Sequence, residues 1–157
     1  MYKIKPIDKK ILQLIQDKDL CVPQVTKIAH RVGLPTSTVH SKLKRMQEEG
    51  IIKGYSIILD PEKLDRGFVA FLLGQIPMTK EKDFDMPGKE VKKIPQVEEV
   101  YFITGEWDYL VKLRVKNKEE YYEVMQKISK CFGLRAKGMI CPKCFKDTHK
   151  FMIKEPF

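Results

Sequence analysis

Apolar residues between positions 24 and 50 fall into two short blocks with helical spacing. The blocks are Val25, Ile28, Ala29 and Val32, followed by Val39, Leu43 and Met46. Because residues three and four positions apart share one face of a helix, each block predicts an amphipathic helix. Gly33 and Gly50 are the expected stops, since glycine readily takes the left-handed conformation that ends a helix. The pattern therefore predicts helices over about 24–31 and 35–50, with their apolar faces against each other.

A third amphipathic segment precedes these two. Its apolar stripe consists of Ile7, Ile11, Leu14 and Ile15. Asp8 lies where a carboxylate stabilises a helix N-terminus, so we expect this helix to run from about residue 6 or 7 to residue 17. Two short helices joined by a glycine-containing turn are typical of a helix-turn-helix, whose second helix lies in the DNA major groove. The sequence therefore predicts a DNA-binding unit over residues 1–52.

The segment after Gly50 changes character. Residues 51–60 (IIKGYSIILD) are rich in β-branched side chains and end at an Asp-Pro break, which predicts a strand followed by a turn. We interpret this strand as a hinge, with residues 53–66 forming the linker between two domains.

Beyond Gly67 the pattern is strand, helix, strand, strand, helix, strand. The predicted strands are 68–76, 97–104, 109–116 and one between 137 and 153, and the predicted helices are part of 80–94 and 119–132. A βαββαβ order is typical of a ferredoxin-like domain, an antiparallel sheet with both helices on one face. The predicted fold class is therefore α+β, with a helix-turn-helix, a hinge strand and a ferredoxin-like domain over 67–157.

Composition adds modest support for an anionic partner. The net charge is +9, and residues 1–60 carry 11 basic and 6 acidic side chains against 19 and 15 in the remainder. The higher charge density at the N-terminal end suits DNA binding, although a generally lysine-rich solvated surface explains the total equally well. The chain has no apolar run long enough to span a membrane, and residues 1–6 lack the apolar core of a signal peptide, so we expect a cytoplasmic protein.

Several short segments together resemble the leucine-responsive (Lrp/AsnC) family of transcription regulators. They are residues 7–12 (IDKKIL), 28–34 (IAHRVGL), 48–55 (EEGIIKGY), 97–101 (VEEVY) and 104–109 (TGEWDY). Their order and separations, joined to the βαββαβ pattern, make the resemblance specific. It implies a sequence-specific DNA-binding regulator modulated by an amino acid or related small molecule. It also implies a C-terminal domain that pairs sheets into homodimers and often forms octamers.

The third helix should carry the DNA contacts. The candidate residues are Thr36, Ser37, Thr38, His40, Ser41, Lys42, Lys44 and Arg45. Hydroxyl groups and imidazole can hydrogen-bond base edges, whereas lysine and arginine neutralise phosphates. The alternative for any one of them is an ordinary solvated helix position.

The turn at residues 104–108 is the second candidate site. Gly105 suits a positive φ and Asp108 can satisfy turn amides, so a purely structural role explains the motif. The family resemblance implies instead that Thr104, Gly105 and Asp108 contact an amino-acid effector at an interface between dimers. A carboxylate there could accept a charge-assisted hydrogen bond from an α-ammonium group.

The sequence departs from the family at Cys141 and Cys144, with His149 following. Cys-x2-Cys is half of a typical zinc site and His149 would add a third ligand, whereas in a continuous strand residues 141 and 144 would point to opposite faces. Inert thiols, a zinc site and a redox-active pair therefore remain open. We expect no other cofactor, and no disulfide framework in a cytoplasmic protein with four cysteines.

Two further functional classes remain as alternatives. The same two-part fold resembles the sirohaem decarboxylases, whose chemistry uses His-rich segments and Arg. This chain has only three histidines, His30, His40 and His149, and two of them lie in the predicted helix-turn-helix, so we expect no enzyme activity. The other alternative is a metal- or thiol-sensing regulator that uses Cys141 and Cys144 as its input.

Overall fold

The computed structural model divides the chain into two compact units, residues 1–59 and 60–157. The structure describes residues 4–17, 21–76, 85–133, 135–148 and 153. The boundary at residue 59 falls inside the linker predicted over 53–66. Within the described part of the chain, no helix is both long and apolar enough to cross a lipid bilayer.

The N-terminal unit contains three helices. They are α1 (Pro6–Asp17), α2 (Val25–Val32) and α3 (Thr36–Glu48). Gly33 ends α2 with φ of 68°, and its N–H donates to the carbonyl of Ala29, the left-handed cap that the sequence predicted. Ala29 of α2 and Val39 of α3 are 3% and 4% exposed, so each predicted apolar stripe has a buried centre, whereas Val32 at the end of the first stripe is 55% exposed. Ile7 and Ile11 of α1, in contrast, remain 58% and 49% exposed.

The predicted hinge strand is not found as a strand. The structure describes residues 51–60, and no β-ladder is formed there. A strand is defined by hydrogen bonds to a neighbour, and β-branched composition alone does not supply one. At Asp60 the chain turns instead, because its Oδ1 accepts from the backbone N–H of Glu62 at 3.1 Å and begins a single 3₁₀ turn over Glu62–Leu64.

The C-terminal unit has the predicted βαββαβ order. Its elements are β1 (Phe68–Gly74), α4 (Met86–Val91), β2 (Val97–Phe102), β3 (Tyr109–Val115), α5 (Lys118–Cys131) and β4 (Ala136–Cys141). The sheet order is β2-β3-β1-β4, with every neighbouring pair antiparallel. This arrangement confirms the ferredoxin-like prediction. Of the predicted helix over 80–94, α4 accounts for 86–91, whereas residues 77–84 lie outside the described residues.

The core of this unit lies between one face of the sheet and the helices. Alternate residues of β3, from Val111 to Val115, are fully buried, as are Ile128 of α5 and Phe132 directly after that helix. The helix α5 packs on β1 and β3, and α4 packs on β2 and α5, so both helices cover the same face. Burying side chains of this size stabilises the fold by about 1.5–3 kcal/mol each. Among the described elements, no helix lies on the opposite sheet face, which we call the outer face.

Candidate functional site

Helix α3 presents a polar side away from its buried residue. Val39 is buried, and Thr38 beside it is half-buried. The other seven candidate residues are exposed: Thr36, Ser37, His40, Ser41, Lys42, Lys44 and Arg45. The structure therefore places the predicted DNA-contacting residues together on an accessible helix surface.

Lys44 and Arg45 of α3 pair only weakly with carboxylates one helical turn further along the chain. Lys44 Nζ lies 3.8 Å from a Glu48 oxygen, and Arg45 Nε lies 3.9 Å from a Glu49 oxygen. All four side chains are more than 60% exposed, and solvent-exposed ion pairs contribute about 0–1 kcal/mol. An incoming phosphate can therefore replace either glutamate at small cost.

The turn between β2 and β3 is built around Asp108. Its Oδ2 accepts a hydrogen bond of 2.7 Å from the backbone N–H of Ile76, and its own N–H donates to the carbonyl of Gly74 at 3.0 Å. Its carbonyl accepts from the N–H of Ile103 at 2.8 Å. Asp108 thus ties the end of β1 to the turn, which is a structural role. Thr104 and Gly105 are exposed, and Gly105 has φ of 130°, a conformation that favours glycine.

Gln75, directly after β1, contacts this turn, and sequence analysis missed it. Its Nε2 donates to the carbonyl of Glu106 at 3.1 Å. No local pattern indicates this contact, because residues 75 and 106 meet only when β1 ends beside the β2–β3 turn.

A cavity of about 390 Å³ lies between α4 and the strands next to this turn. Phe102 and Tyr109 line one side, with their rings edge to face at 5.5 Å, and Lys89 of α4 and Lys92 directly after that helix line another. Tyr109 directly follows Asp108 in the chain, so the cavity and the turn share the start of β3. The cavity is open to solvent and not enclosed.

The cysteine segment is not one continuous strand. Cys141 is the last residue of β4, the chain bends at Pro142, and Cys144 is exposed. The alternative in which both cysteines lie on one strand therefore does not hold. All four cysteines are free thiols. Within the described residues, no three His, Cys, Asp or Glu side chains form a group that could hold a metal ion, and His149 lies outside those residues.

Comparison with known proteins matches both units. A model described as the winged helix-turn-helix DNA-binding domain matches residues 4–53, and a model described as the Lrp/AsnC ligand binding domain matches residues 73–137. The matched ranges contain α1 to α3 and most of the βαββαβ unit, respectively.

Individual proteins resemble the chain over most of its length. The HTH-type transcriptional regulator FL11 of Pyrococcus furiosus is 34% identical over 149 residues, covering 94% of this chain and 95% of the relative. A proline dehydrogenase transcriptional activator of Rhizobium radiobacter is 38% identical over 124 residues, 78% of each protein. A transcriptional regulator of Neisseria meningitidis, solved with L-methionine, is 25% identical with a TM-score of 0.73, covering 96% of this chain and 97% of that one.

These matches favour a regulator over the sirohaem-decarboxylase alternative, since the relatives are named as transcription regulators. The relatives match nearly the whole chain, and the two family models match the two units in the same order. The chain belongs to the Lrp/AsnC family of helix-turn-helix transcription regulators.

Proposed function

We propose that this regulator binds a specific DNA sequence with the exposed side of α3, and that an amino acid or related small molecule modulates that binding. The observation that carries the proposal is the arrangement of α3, with buried Val39 on one side and seven exposed polar or basic residues elsewhere. A helix of this kind, packed on α2 through its apolar side, leaves its polar side for the major groove.

The chemistry of these residues suggests two kinds of DNA contact, to bases and to phosphates. We assign base contacts to the hydroxyl and imidazole groups at the N-terminal part of α3: Thr36, Ser37, Thr38, His40 and Ser41. Lys42, Lys44 and Arg45 would bind phosphates, because a cation neutralises the backbone without distinguishing sequences. A DNA-binding regulator of this kind would act in the cytoplasm, together with the chromosome.

We assign the effector site to Thr104, Gly105 and Asp108. A carboxylate offers about four lone-pair positions, so Asp108 can accept from the Ile76 N–H and from an α-ammonium group at the same time. The Neisseria relative bound to L-methionine supports an amino acid as the ligand class. The adjacent cavity lined by Phe102 and Tyr109 would take an apolar side chain.

We also propose that the chain acts as a homodimer paired through the outer face of the sheet, and that dimers can assemble into octamers. Beside the covered Val69, the outer face carries the half-buried apolar side chains of Phe71 and Leu73, which alternate along β1 with the core residues. In this proposal residues 1–52 bind DNA, residues 53–66 link the two domains, and residues 67–157 form the dimer and bind the effector. A two-fold symmetric dimer predicts palindromic DNA sites. A monomeric sedimentation coefficient at micromolar concentration would exclude the homodimer.

Selection of bound fragments from random DNA by the full chain tests the DNA-binding assignment. We expect a defined palindromic motif. Lys44→Ala should weaken binding to every sequence, whereas Ser37→Ala and His40→Ala should change the preference at one or two positions. Lys127→Ala, an exposed lysine of α5, is the charge-matched control and should behave like the wild type. Equal losses for Lys44→Ala and Lys127→Ala would contradict the assignment.

Two substitutions at Asp108 separate the effector role from the structural one. Asp108→Asn keeps an oxygen that can accept from the Ile76 N–H but removes the charge, whereas Asp108→Ala removes both. We expect Asp108→Asn to retain thermal stability and lose the change in DNA affinity caused by amino acids, and Asp108→Ala to lose stability as well. An unchanged amino-acid response in Asp108→Asn would refute the effector assignment and leave the DNA-binding assignment standing.

A further inference from the structure

The chain after β4 folds back across the outer face of the sheet. We call residues 142–148 the strap. Near its end, Asp147 Oδ1 accepts from Lys112 Nζ at 2.7 Å, and Asp147 Oδ2 accepts from Arg114 Nη2 at 2.5 Å. Lys112 and Arg114 belong to β3, and β1 lies between β3 and β4. The strap therefore crosses β1, a span of about 10 Å at ordinary strand spacing.

The register of the sheet shows where the strap crosses. Cys141 of β4 pairs with Val69 of β1, and Val69 pairs with Arg114 of β3. Directly paired residues of antiparallel strands point to the same face, so these three side chains form one row. The strap leaves the sheet at one end of this row and binds the other end through Asp147.

Burial along this row agrees with a covered surface. Val69 is only 6% exposed, although it alternates with the core residue Ala70 and faces away from the helices. The side chains of Lys112 and Arg114 are 12% and 13% exposed. Glu98 also binds both cations, with its oxygens 3.2 Å from Lys112 Nζ and 2.5 Å from Arg114 Nε. Hydrogen bonds and charge from Lys112, with help from Arg114, hold the pKa of Asp147 below its usual range.

Two thiols bracket the bend at which the strap begins. Cys141 is half-buried and its Sγ donates to the carbonyl of Lys143 at 3.4 Å, while Cys144 is exposed. The contact between residues 141 and 143 lies within the bend at Pro142. A bend shortens the distance between residues i and i+3 relative to an extended strand, and a disulfide between them requires this approach.

We propose that Cys141 and Cys144 form a reversible thiol–disulfide site, oxidised by a low-molecular-weight disulfide, and that the disulfide holds the strap on the outer face. The exposed Cys144 thiolate attacks the small disulfide, so that a mixed disulfide forms and one small thiol leaves. The Cys141 thiolate then attacks the Cys144 sulfur, forming the Cys141–Cys144 bond and releasing the second thiol. Each cysteine loses one proton, and the two electrons reduce the small disulfide to two thiols.

A disulfide fits the residues better than a metal ion does. Two thiols suffice for the disulfide, whereas a tetrahedral zinc site needs four ligands. Within the part of the chain that the structure describes, no third ligand joins Cys141 and Cys144. Closing a ring over residues 141–144 restricts the backbone from which the strap departs, and Asp147 follows only three residues later. Through this site the chain would respond to oxidation, which is chemically separate from effector binding at the turn of Asp108.

Oxidation of the full-length protein by oxidised glutathione, followed by alkylation and peptide mass spectrometry, tests the site. We expect an intramolecular Cys141–Cys144 disulfide that dithiothreitol reverses. Cys21→Ser and Cys131→Ser should form it as the wild type does, and Cys144→Ser should not. Persistently free thiols at Cys141 and Cys144 would overturn the proposal. So would disulfides that link two chains, or stoichiometric zinc in the purified protein that is lost in Cys144→Ser.

Limited trypsin digestion tests the coupling to the strap, because Lys146 lies next to Asp147. We expect cleavage after Lys146 to be severalfold slower in the oxidised wild type than in the reduced one, and unaffected by oxidant in Cys144→Ser. Asp147→Asn should speed this cleavage in the reduced protein, since it weakens the contact with Lys112 and Arg114. Equal cleavage rates in oxidised and reduced wild type would show that the disulfide does not control the strap.

Discussion

Arg66 donates through Nη1 to both carboxylate oxygens of Glu120, at 3.0 and 2.8 Å, across 54 positions of sequence. Glu120 also accepts from Gln96 Nε2 at 2.9 Å and from the backbone N–H of Lys116 at 2.7 Å. One carboxylate in the first turn of α5 therefore joins Arg66, shortly after the 3₁₀ turn, to Gln96 directly before β2 and Lys116 directly after β3. This contact fixes the start of the C-terminal unit to its second helix.

Glu120 should make the stability of the C-terminal unit depend on pH. Burial opposes its ionisation, but the hydrogen bonds from Gln96, Lys116 and Arg66 outweigh burial, so the pKa of Glu120 lies below its usual range. A lowered pKa in the folded state contributes stability above the unfolded-state pKa, and this contribution is lost as the pH falls through the folded-state value.

We expect Glu120→Gln to lower the free energy of unfolding at neutral pH by roughly 1–2 kcal/mol, because Arg66 is half exposed and its pairing is screened by solvent. The difference from the wild type should shrink in acid. Thermal unfolding between neutral and acidic pH measures both effects. Glu123→Gln, an exposed residue of the same helix, is the control. A pH-independent difference would contradict the proposed cause.

Gly138 of β4 should not tolerate a side chain. A Cβ at this position would overlap the hydroxyl of Tyr121 and lie 3.1 Å from Met125 Sδ, and Tyr121 is only 4% exposed. We expect Gly138→Ala to cost about 1–3 kcal/mol in unfolding free energy, the range for overpacking a core.

A second substitution tests that cause. Because the closest atom is the Tyr121 hydroxyl oxygen, Tyr121→Phe should recover part of the loss when it is combined with Gly138→Ala. Denaturant unfolding of the two single variants and the double variant gives the coupling free energy. Strictly additive effects would mean that the hydroxyl is not the obstacle.

Removing a competing carboxylate from α3 should strengthen DNA binding. A Glu48 carboxylate oxygen lies 3.8 Å from Lys44 Nζ. Glu48→Gln therefore removes the carboxylate that competes with DNA phosphates for Lys44, and it reduces the electrostatic repulsion of DNA. We expect a gain in affinity of a few fold, less than about 1 kcal/mol, that fades at high salt. Binding curves at several salt concentrations measure it, with Glu123→Gln as the control. Weaker binding by Glu48→Gln would argue against α3 facing the DNA.

The cysteines should react with thiol reagents at different rates. Burial, together with the negative charge of Glu90, raises the pKa of the Cys131 thiol, and a thiol with a raised pKa has less of the reactive thiolate. Cys144 is exposed. We expect maleimide labelling near neutral pH to modify Cys144 well before Cys131. Peptide mapping at timed intervals gives the order, and faster labelling of Cys131 would contradict it.

Periodic patterns correctly predicted most elements of both units. The stop at Gly33, the burial of Ala29 and Val39, and the βαββαβ order all depend on spacing between near neighbours, which is visible along the chain. The strand proposed over residues 51–60 was wrong, because β-branched composition indicates a preference for extended backbone and cannot provide a hydrogen-bonding neighbour. For the same reason the end of β4 at Cys141 was not predicted.

The sequence by itself determined the local elements, the polar side of α3 and, through short motifs, the Lrp/AsnC family. Only the tertiary structure decided which distant groups meet. In the folded chain Asp108 accepts a hydrogen bond from the N–H of Ile76, Glu120 pairs with Arg66, and Asp147 binds Lys112 and Arg114 of β3. Contacts across 32 to 54 positions depend on sheet order and register, which arise from packing of the whole unit, so no local pattern encodes them.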